Sequence, residues 1–423
     1  MKPANKNTST SRSLTKKGKE TRSELLKEAH EVFKTAGYYG ASVSEITRRC
    51  GVSMGTFYQY FKNKEQVFLE LNDLIISNFM EKTSLIPEEG LSFDERLKES
   101  LEILLGHMRE NSPFLRILGE SELTESVTVS HYESIARYYR IFLRREAESG
   151  YVRLFDPNMV AYGLIGICYF NSLEWGDRDE GLTQSRLVNL TADLVLNGIA
   201  GPAPWNKAVG RDLLEMPVPE PLRDQDGESI TKGERTKEMI FRAAEKSFGR
   251  HGFNRANISE ITREAGVAQG TFYVHFKSKK DLIEGLVRYL NHKLRRDLQR
   301  FVKQYSDRRE AERVGFIAFM EFIRQHKEIY RIVPEAEMID RAVFRWYYEN
   351  MSKGYKEGLN DGIKKGEIRD FPPEFLSKSL MGMIHTIALK WIVWDKDPQA
   401  GISDQLMKNI IEFVLFGLKG GKI

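Results

Sequence analysis

Apolar residues recur along the first seventy positions at helical spacing. Leu25, Leu26, Ala29, Val32 and Phe33 fall one, three and four residues apart, which lays them along one buried stripe of an amphipathic helix. Gly37 follows where a helix ends in a left-handed residue. Ser42-Val43-Ser44-Glu45 has the form of a capping box that opens a second helix. Cys50-Gly51-Val52-Ser53 predicts a tight break, and a short third helix then runs from about Met54 to Phe61. Phe57 and Phe61, four apart, hold it to the core. Asn63 is the expected N-cap of a fourth helix beginning at Lys64.

Longer helical patterns follow: Phe68 to Met80, Leu97 to Met108, His131 to Glu148, Pro157 to Trp175 and Ser185 to Asn197. The second half ends in two more, Pro373 to Trp394 and Gln405 to Leu418. No segment alternates with period two, so the predicted class is all-α.

The pattern repeats. Leu25 to Leu71 aligns without a gap on Ile240 to Leu286, 215 positions later (240 − 25), with 19 identities in 47 positions. Ser44-Glu45-Ile46-Thr47-Arg48 returns as Ser259-Glu260-Ile261-Thr262-Arg263, and Gly55-Thr56-Phe57-Tyr58 as Gly270-Thr271-Phe272-Tyr273. Asn257 and Glu260 fill the capping-box positions of the second copy, and Ser278 with Asp281 cap its fourth helix. A fainter echo continues: Arg116 to Glu122 matches Arg331 to Glu337, and Gly150, Phe155, Pro157, Gly166 and Trp175 match Gly366, Phe371, Pro373, Gly382 and Trp391. The expected organisation is a basic arm (1–21), a three-helix domain (22–66), a helical body (67–201), a linker rich in Pro, Gly and charge (202–232), a second three-helix domain (233–281) and a second body (282–423).

Two short helices joined by a tight turn behind a longer one form a helix-turn-helix, whose second helix fits a major groove. Its exposed side presents Gly55, Thr56, Gln59 and Tyr60, with Tyr58 on the flank. Charge changes the weight of that reading. The net charge is only +4, yet residues 1–65 hold 13 Lys and Arg against 6 Glu, and residues 232–281 hold 11 against 6 acidic residues. Two basic islands in an acidic remainder suit a polyanion, although ordinary solvated surface would look the same by charge alone. The arm, with Lys2, Lys6, Arg12, Lys16, Lys17 and Lys19, could reach a minor groove or stay unattached.

The remaining composition narrows the class. Cys50 and Cys168 fit no metal or redox spacing, which points to a reducing cytoplasm, and no metal or cofactor is expected. The longest apolar run, Met159 to Phe170, is too short to span a bilayer, and the N-terminus lacks an apolar leader core. No nucleophile elbow, zinc-protease or phosphate-loop motif is present, so catalysis is not expected.

The run Ser42-x-x-Glu45-Ile46, Gly51-Val52-Ser53-x-Gly55-Thr56-Phe57-Tyr58-x-Tyr60-Phe61-Lys62-x-Lys64, with its second copy ending Tyr273-Val274-His275-Phe276-Lys277-Ser278-Lys279, resembles the TetR family of bacterial transcriptional regulators. The resemblance is strong over about fifty residues in each half. It implies that Ser42 and Asn257 present a helix N-terminus to phosphate, that Tyr58, Tyr60, Lys64, Tyr273, His275 and Lys279 contact the DNA backbone, and that Gly55 and Gly270 allow close approach. Thr56 and Thr271 would touch a base methyl or a phosphate, and Met54 and Gln269 would face base edges. Each has a plain alternative: Tyr58 and Tyr273 as half-buried core, Lys64 as free surface, Thr56 as helix filler. The heads differ at Met54 against Gln269, Gln59 against Val274 and Arg49 against Glu264, which predicts an imperfect palindrome with two unlike half-sites.

The same resemblance implies that segments 157–175 with 183–200, and 373–394 with 403–418, pack as a four-helix bundle, making the chain an intramolecular pseudo-dimer, with further association open. It also implies a ligand pocket in the helical body for a small, largely apolar effector that releases a repressor. Candidate linings are Tyr138, Tyr139, Phe142, Tyr162, Trp346, Tyr347, Tyr348, His385 and Trp394, any of which could equally be core. Glu120, Glu122, Glu335 and Glu337 could bind a ligand or form structural ion pairs. The alternative function keeps one head for DNA and makes the other, more readily the first, a structural or interaction module.

Overall fold

The computed structural model describes residues 14–118, 122–153, 155–175, 181–205, 231–330, 341–395, 397 and 401–419. Every regular element among them is helical; the one backbone bridge pairs Ala200 with Ile368. Among the described residues the α-helices form two matched series of nine. The first is α1 (Lys16–Gly40), α2 (Val43–Arg49), α3 (Met54–Tyr60), α4 (Lys64–Ser84), α5 (Phe93–Glu110), α6 (Ser112–Ile117), α7 (Glu122–Glu148), α8 (Pro157–Trp175) and α9 (Gln184–Asn197). The second is α10 (Lys232–Arg255), α11 (Ile258–Glu264), α12 (Gln269–His275), α13 (Lys279–Val302), α14 (Arg308–Gln325), α15 (Lys327–Tyr330), α16 (Arg341–Lys364), α17 (Pro373–Ala388) and α18 (Asp404–Phe416). The chain divides into two compact units, Met1–Leu74 and Ile75–Ile423, so the second three-helix domain lies within the larger unit.

In the first unit Leu25, Ala29, Phe33, Ile46, Phe57 and Phe61 are fully buried, the core that the sequence pattern predicts. Gly37, at φ 70°, kinks α1 near its end, and Gly252, at φ 68°, does the same in α10. Thr15 caps α1, its hydroxyl accepting from the Gly18 N–H at 3.1 Å. Lys16, Lys17 and Lys19 are therefore helical, and the arm expected over 1–21 is shorter than predicted; residues 1–13 lie outside the described residues. Residues 206–230 of the expected linker also lie outside them. Its first residues are docked: Trp205 donates from Nε1 to Glu310 at 3.1 Å, and the buried Arg309 donates to the carbonyls of Ala203 and Pro204 at 2.9 and 3.2 Å.

The larger unit is organised around α8, α9, α17 and α18, and α8 packs along α17. Gly166 and Gly382 meet at that crossing, where a Cβ on Gly166 would lie 2.0 Å from the Gly382 carbonyl oxygen and one on Gly382 2.2 Å from that of Gly166. Asn171 Nδ2 donates to Ser379 Oγ at 2.9 Å, and the Thr386 hydroxyl to the Tyr162 carbonyl at 2.7 Å. The bundle is two-fold in its pattern. Ile199 and Ala200 donate to the carbonyls of Val414 and Leu415, while Leu418 and Lys419 donate to those of Val195 and Leu196, all at 2.8–2.9 Å. Arg153 pairs with Glu412 at 2.6 Å and Arg369 with Asp193 at 2.8 Å. Each donor meets the counterpart of its partner's acceptor, the relation that defines an isologous dimer interface, here within one chain.

Candidate functional site

The two three-helix domains place their third helices by the same local devices, with different chemistry at the ends. Ser42 caps α2, its hydroxyl accepting from the Glu45 N–H at 3.1 Å. Glu45 does not complete the expected capping box. Its carboxylate pairs with Arg48 at 2.7 Å and Arg49 at 3.0 Å, because two guanidinium donors within one turn outcompete a neutral N–H, and they hold the carboxyl down at about 2. In the second domain Asn257 Oδ1 takes the Ser259 N–H at 2.9 Å and the Ser259 hydroxyl at 2.8 Å, one residue short of a capping box, and Glu260 reaches His251 at 3.3 Å. Ser53 caps α3 through the Thr56 N–H at 3.1 Å, and its hydroxyl lies 3.0 Å from that of Thr56. Ala268, at the equivalent position, offers no such cap to α12.

The outward side of each third helix carries the predicted residues. Phe57 and Phe272 are completely buried, while Tyr58 and Tyr273 are 53% and 54% exposed, so the core alternative for the two tyrosines is excluded. Met54, Gly55, Gln59, Gln269 and Gly270 are exposed, Val274 more than any of them that is large and apolar, and Thr56 and Thr271 are half-buried. A Cβ on Gly270 would meet nothing within 4 Å, and one on Gly55 would meet only Ser53 Oγ at 3.6 Å. Neither glycine is required by the protein's own packing. Tyr60 and His275 are half-buried against the first turns of α1 and α10, where they face Gly18 and Gly233.

Lys64 and Lys279 make contacts within the protein itself. Lys64 Nζ donates to the carbonyls of Tyr38 and Ala41 at 2.6 and 2.9 Å and lies 4.5 Å above the Tyr38 ring. Lys279 Nζ donates to Phe253, Asn254 and Ala256 carbonyls at 2.6, 3.1 and 3.0 Å, which uses all three of its protons. The glycine kinks turn these carbonyls out of their helices, and the ammonium groups collect them. Without DNA the lysines fasten the third-helix unit to the first helix.

The helical body of the second half encloses a cavity of about 170 Å³ between α13, α14, α16 and α17, with Phe170 of α8 reaching in from the first half. Of the predicted linings, Tyr347, Tyr348 and His385 are on its wall. Tyr330 hydrogen-bonds to His385 Nδ1, and burial lowers the His385 pKa to about 3, so the imidazole is neutral. Arg308 pairs with Glu312 at 2.5 Å, and the Tyr355 hydroxyl donates to the same carboxylate. The other candidates stand away from this cavity. Tyr139 and Tyr162 are fully buried core, bonded to the Ser100 carbonyl and to Glu133 at 3.0 Å each. Trp394 stacks on Tyr132 at 5.7 Å, and Trp346 lies under the Arg288 guanidinium at 4.5 Å. Tyr138 and Phe142 line a separate cleft in the first half. Aromatics at helical spacing fill cores, which is why four of these nine, Tyr139, Tyr162, Trp346 and Trp394, line neither this cavity nor that cleft. Glu120, Glu335 and Glu337, and the Glu122 side chain, lie outside the described residues. Sequence reasoning missed Arg295, Gly315 and Gly354 on the cavity wall. Glycines inside helical runs were the signal available for the last two.

No helix among the described residues is long and apolar enough to cross a membrane. The family described as bacterial regulatory proteins, tetR family, matches residues 25–71 and again residues 240–286. An uncharacterized HTH-type transcriptional regulator of Bacillus subtilis, YhgD, is 22% identical over 181 residues, covering 42% of this chain and 95% of its own. The fatty acid metabolism regulator protein of the same organism is 26% identical over 174 residues, covering 39% and 88%. A solved structure of FadR from Bacillus subtilis in complex with stearoyl-CoA aligns at 20% identity and a TM-score of 0.37, covering 41% of this chain and 96% of that one.

Proposed function

The chain belongs to the tetR family of bacterial regulatory proteins, as a tandem form with two helix-turn-helix domains and as a DNA-binding regulator rather than an enzyme, and on that premise we propose how it works. Both heads read DNA, each through its own third helix, and the operator is an imperfect palindrome with unlike half-sites. The observation that carries this is the pair Gly55 and Gly270. Glycine in a helix is destabilising by about 1 kcal/mol relative to alanine. Neither position needs it for the protein's own packing, in either copy. A surface that must let a duplex approach the helix backbone gives the missing reason. Gln269 can bond adenine bidentately, whereas Met54 offers only apolar contact, for example to a thymine methyl.

The Gly55→Ala and Gly270→Ala variants test this together. Each is expected to melt at a slightly higher temperature and to bind operator at least tenfold more weakly, measured by fluorescence anisotropy at fixed salt. If one variant binds as tightly as the parent, that head does not read DNA and the other acts alone. Selection of bound sequences from a random duplex pool adds the second check: a fully symmetric consensus would count against unlike half-sites.

We further infer that the cavity of the second half takes a small, largely apolar effector and that the chain is a repressor released by it. Two things support this. The walls are mostly apolar and aromatic, and a relative named as a regulator of fatty acid metabolism aligns over 39% of the chain. The helix α13 begins at the Ser278 cap next to α12 and lines the cavity at Arg295, Leu298, Gln299 and Val302. A ligand that favours one placement of α13 shifts the population of the second head, provided it binds the two placements unequally.

A further inference from the structure

The duplication supplies an internal comparison, and the two helical bodies differ in the space they enclose. Gly315 of α14 and Gly354 of α16 line the cavity of the second half. Their counterparts in the first half, 215 and 216 positions earlier (315 − 100, 354 − 138), are Ser100 and Tyr138. The Tyr138 ring stands 5.9 Å from Phe79 and 6.1 Å from Phe142, and Tyr139 donates to the Ser100 carbonyl. An aromatic ring thus stands in the first half where Gly354 leaves the helix face bare. The first half has instead a cleft of about 190 Å³ lined by ion-paired side chains, Arg96 with Glu146 at 2.5 Å and Arg145 with Glu88 at 2.9 Å. A Cβ on Gly354 would meet nothing within 4 Å, so the helix does not need glycine there for packing.

The polar lining differs too. Arg295 and Arg308 stand where the first half has Met80 and Phe93, each 215 positions earlier (295 − 80, 308 − 93). Arg308 is held by Glu312. Arg295 is half-buried on the wall and makes no hydrogen bond or ion pair among the described residues. A cationic group beside an apolar cavity suits an anion with an apolar body. The cavity, about 170 Å³, is of the size that holds one small ring or a short chain.

We propose that the chain carries one effector site rather than two. The second half binds a carboxylate amphiphile, its apolar end in the cavity and its head on Arg295, while the first half retains the fold with a cleft lined by ion-paired side chains that suits no apolar chain. Phe170, 5.2 Å from both Tyr348 and His385, closes the site from the first half, so the ligand touches both halves of the central bundle. This rests on the reading of the cavity as an effector site.

Equilibrium dialysis of the full chain against labelled octanoate, with octanol as the uncharged comparison, tests it. One octanoate per chain is expected. Gly354→Tyr, which restores the residue of the first half, should abolish binding while leaving operator affinity without ligand unchanged. Arg295→Gln should weaken octanoate about tenfold and leave octanol unmoved; it breaks no internal contact, so it covers the case in which the tyrosine variant misfolds. Two octanoates per chain, full binding by the tyrosine variant, or no octanoate binding at all would overturn the proposal. A single bound octanoate with operator affinity unmoved supports the single site and overturns its role as effector instead.

Discussion

Lys279 is marked in the sequence by the repeat, while its internal partners are visible only in the fold. The repeat marks it together with Lys64, and both are basic, but only the folded chain shows that the kinks at Gly37 and Gly252 free carbonyls for them to collect. Lys279→Met should destabilise the second head by about 1–3 kcal/mol, the range for stranding buried hydrogen-bonding groups, measured by urea unfolding. The buried histidines make a second prediction at this scale. His107 and His131 face each other with Nε2 atoms 3.2 Å apart, and His385 lies against Tyr330. Burial lowers His107 to about 4, His385 to about 3, and His131 well below 6.5. Below pH 6.5 the unfolded chain therefore binds protons that the native chain refuses, so native stability is full above that pH and falls as pH drops toward 4. The slope is about 1.4 kcal/mol per pH unit for each histidine. Melts from pH 7 to pH 4.5 should show it, and the His107→Leu, His131→Leu double variant should flatten it.

At the scale of elements, helical apolar spacing located most of the helices but gave no span for α6, α14, α15 or α16, and α8 matches its expected span of Pro157 to Trp175. The end of α17 departs from expectation: after Ala388 the backbone widens into a π-helical turn over Leu389–Val393, where a single α-helix to Trp394 was expected. The repeat singled out Gly166 and Gly382 as a matched pair, without a reason for either. The reason is the α8–α17 crossing, where each glycine lies against the other's carbonyl. Gly166→Ala is expected to lower stability by about 3 kcal/mol or more through overpacking, against a gain of about 1 kcal/mol in helix propensity, as measured by thermal unfolding. The opposite sign expected at Gly55 makes the two alanine variants controls for each other.

For the molecule as a whole, the consequence is covalent. The interface that pairs Arg153 with Glu412 and Arg369 with Asp193 joins parts of one chain, so its partners stay at an effective concentration of about a millimolar at any dilution. The melting temperature and the operator affinity per chain should be unchanged over a hundredfold range of protein concentration, whereas a regulator assembled from two chains would weaken on dilution. Fusion also frees the halves to diverge, because a substitution in one is no longer copied into the other. Tyr138 against Gly354 and Met54 against Gln269 are such divergences.

The sequence alone determined the all-helical class, the duplication and the outward residues of each third helix, because those rest on local periodicity, caps and turns that neighbouring residues settle among themselves. Tertiary structure decided which aromatics are core and which line a cavity, what the repeated lysines hold, and that the second half carries a glycine-lined, largely apolar cavity. Those depend on which atoms helices distant in sequence bring within a few ångströms, and a glycine or tyrosine inside a helical run does not reveal whether space or a neighbour awaits it.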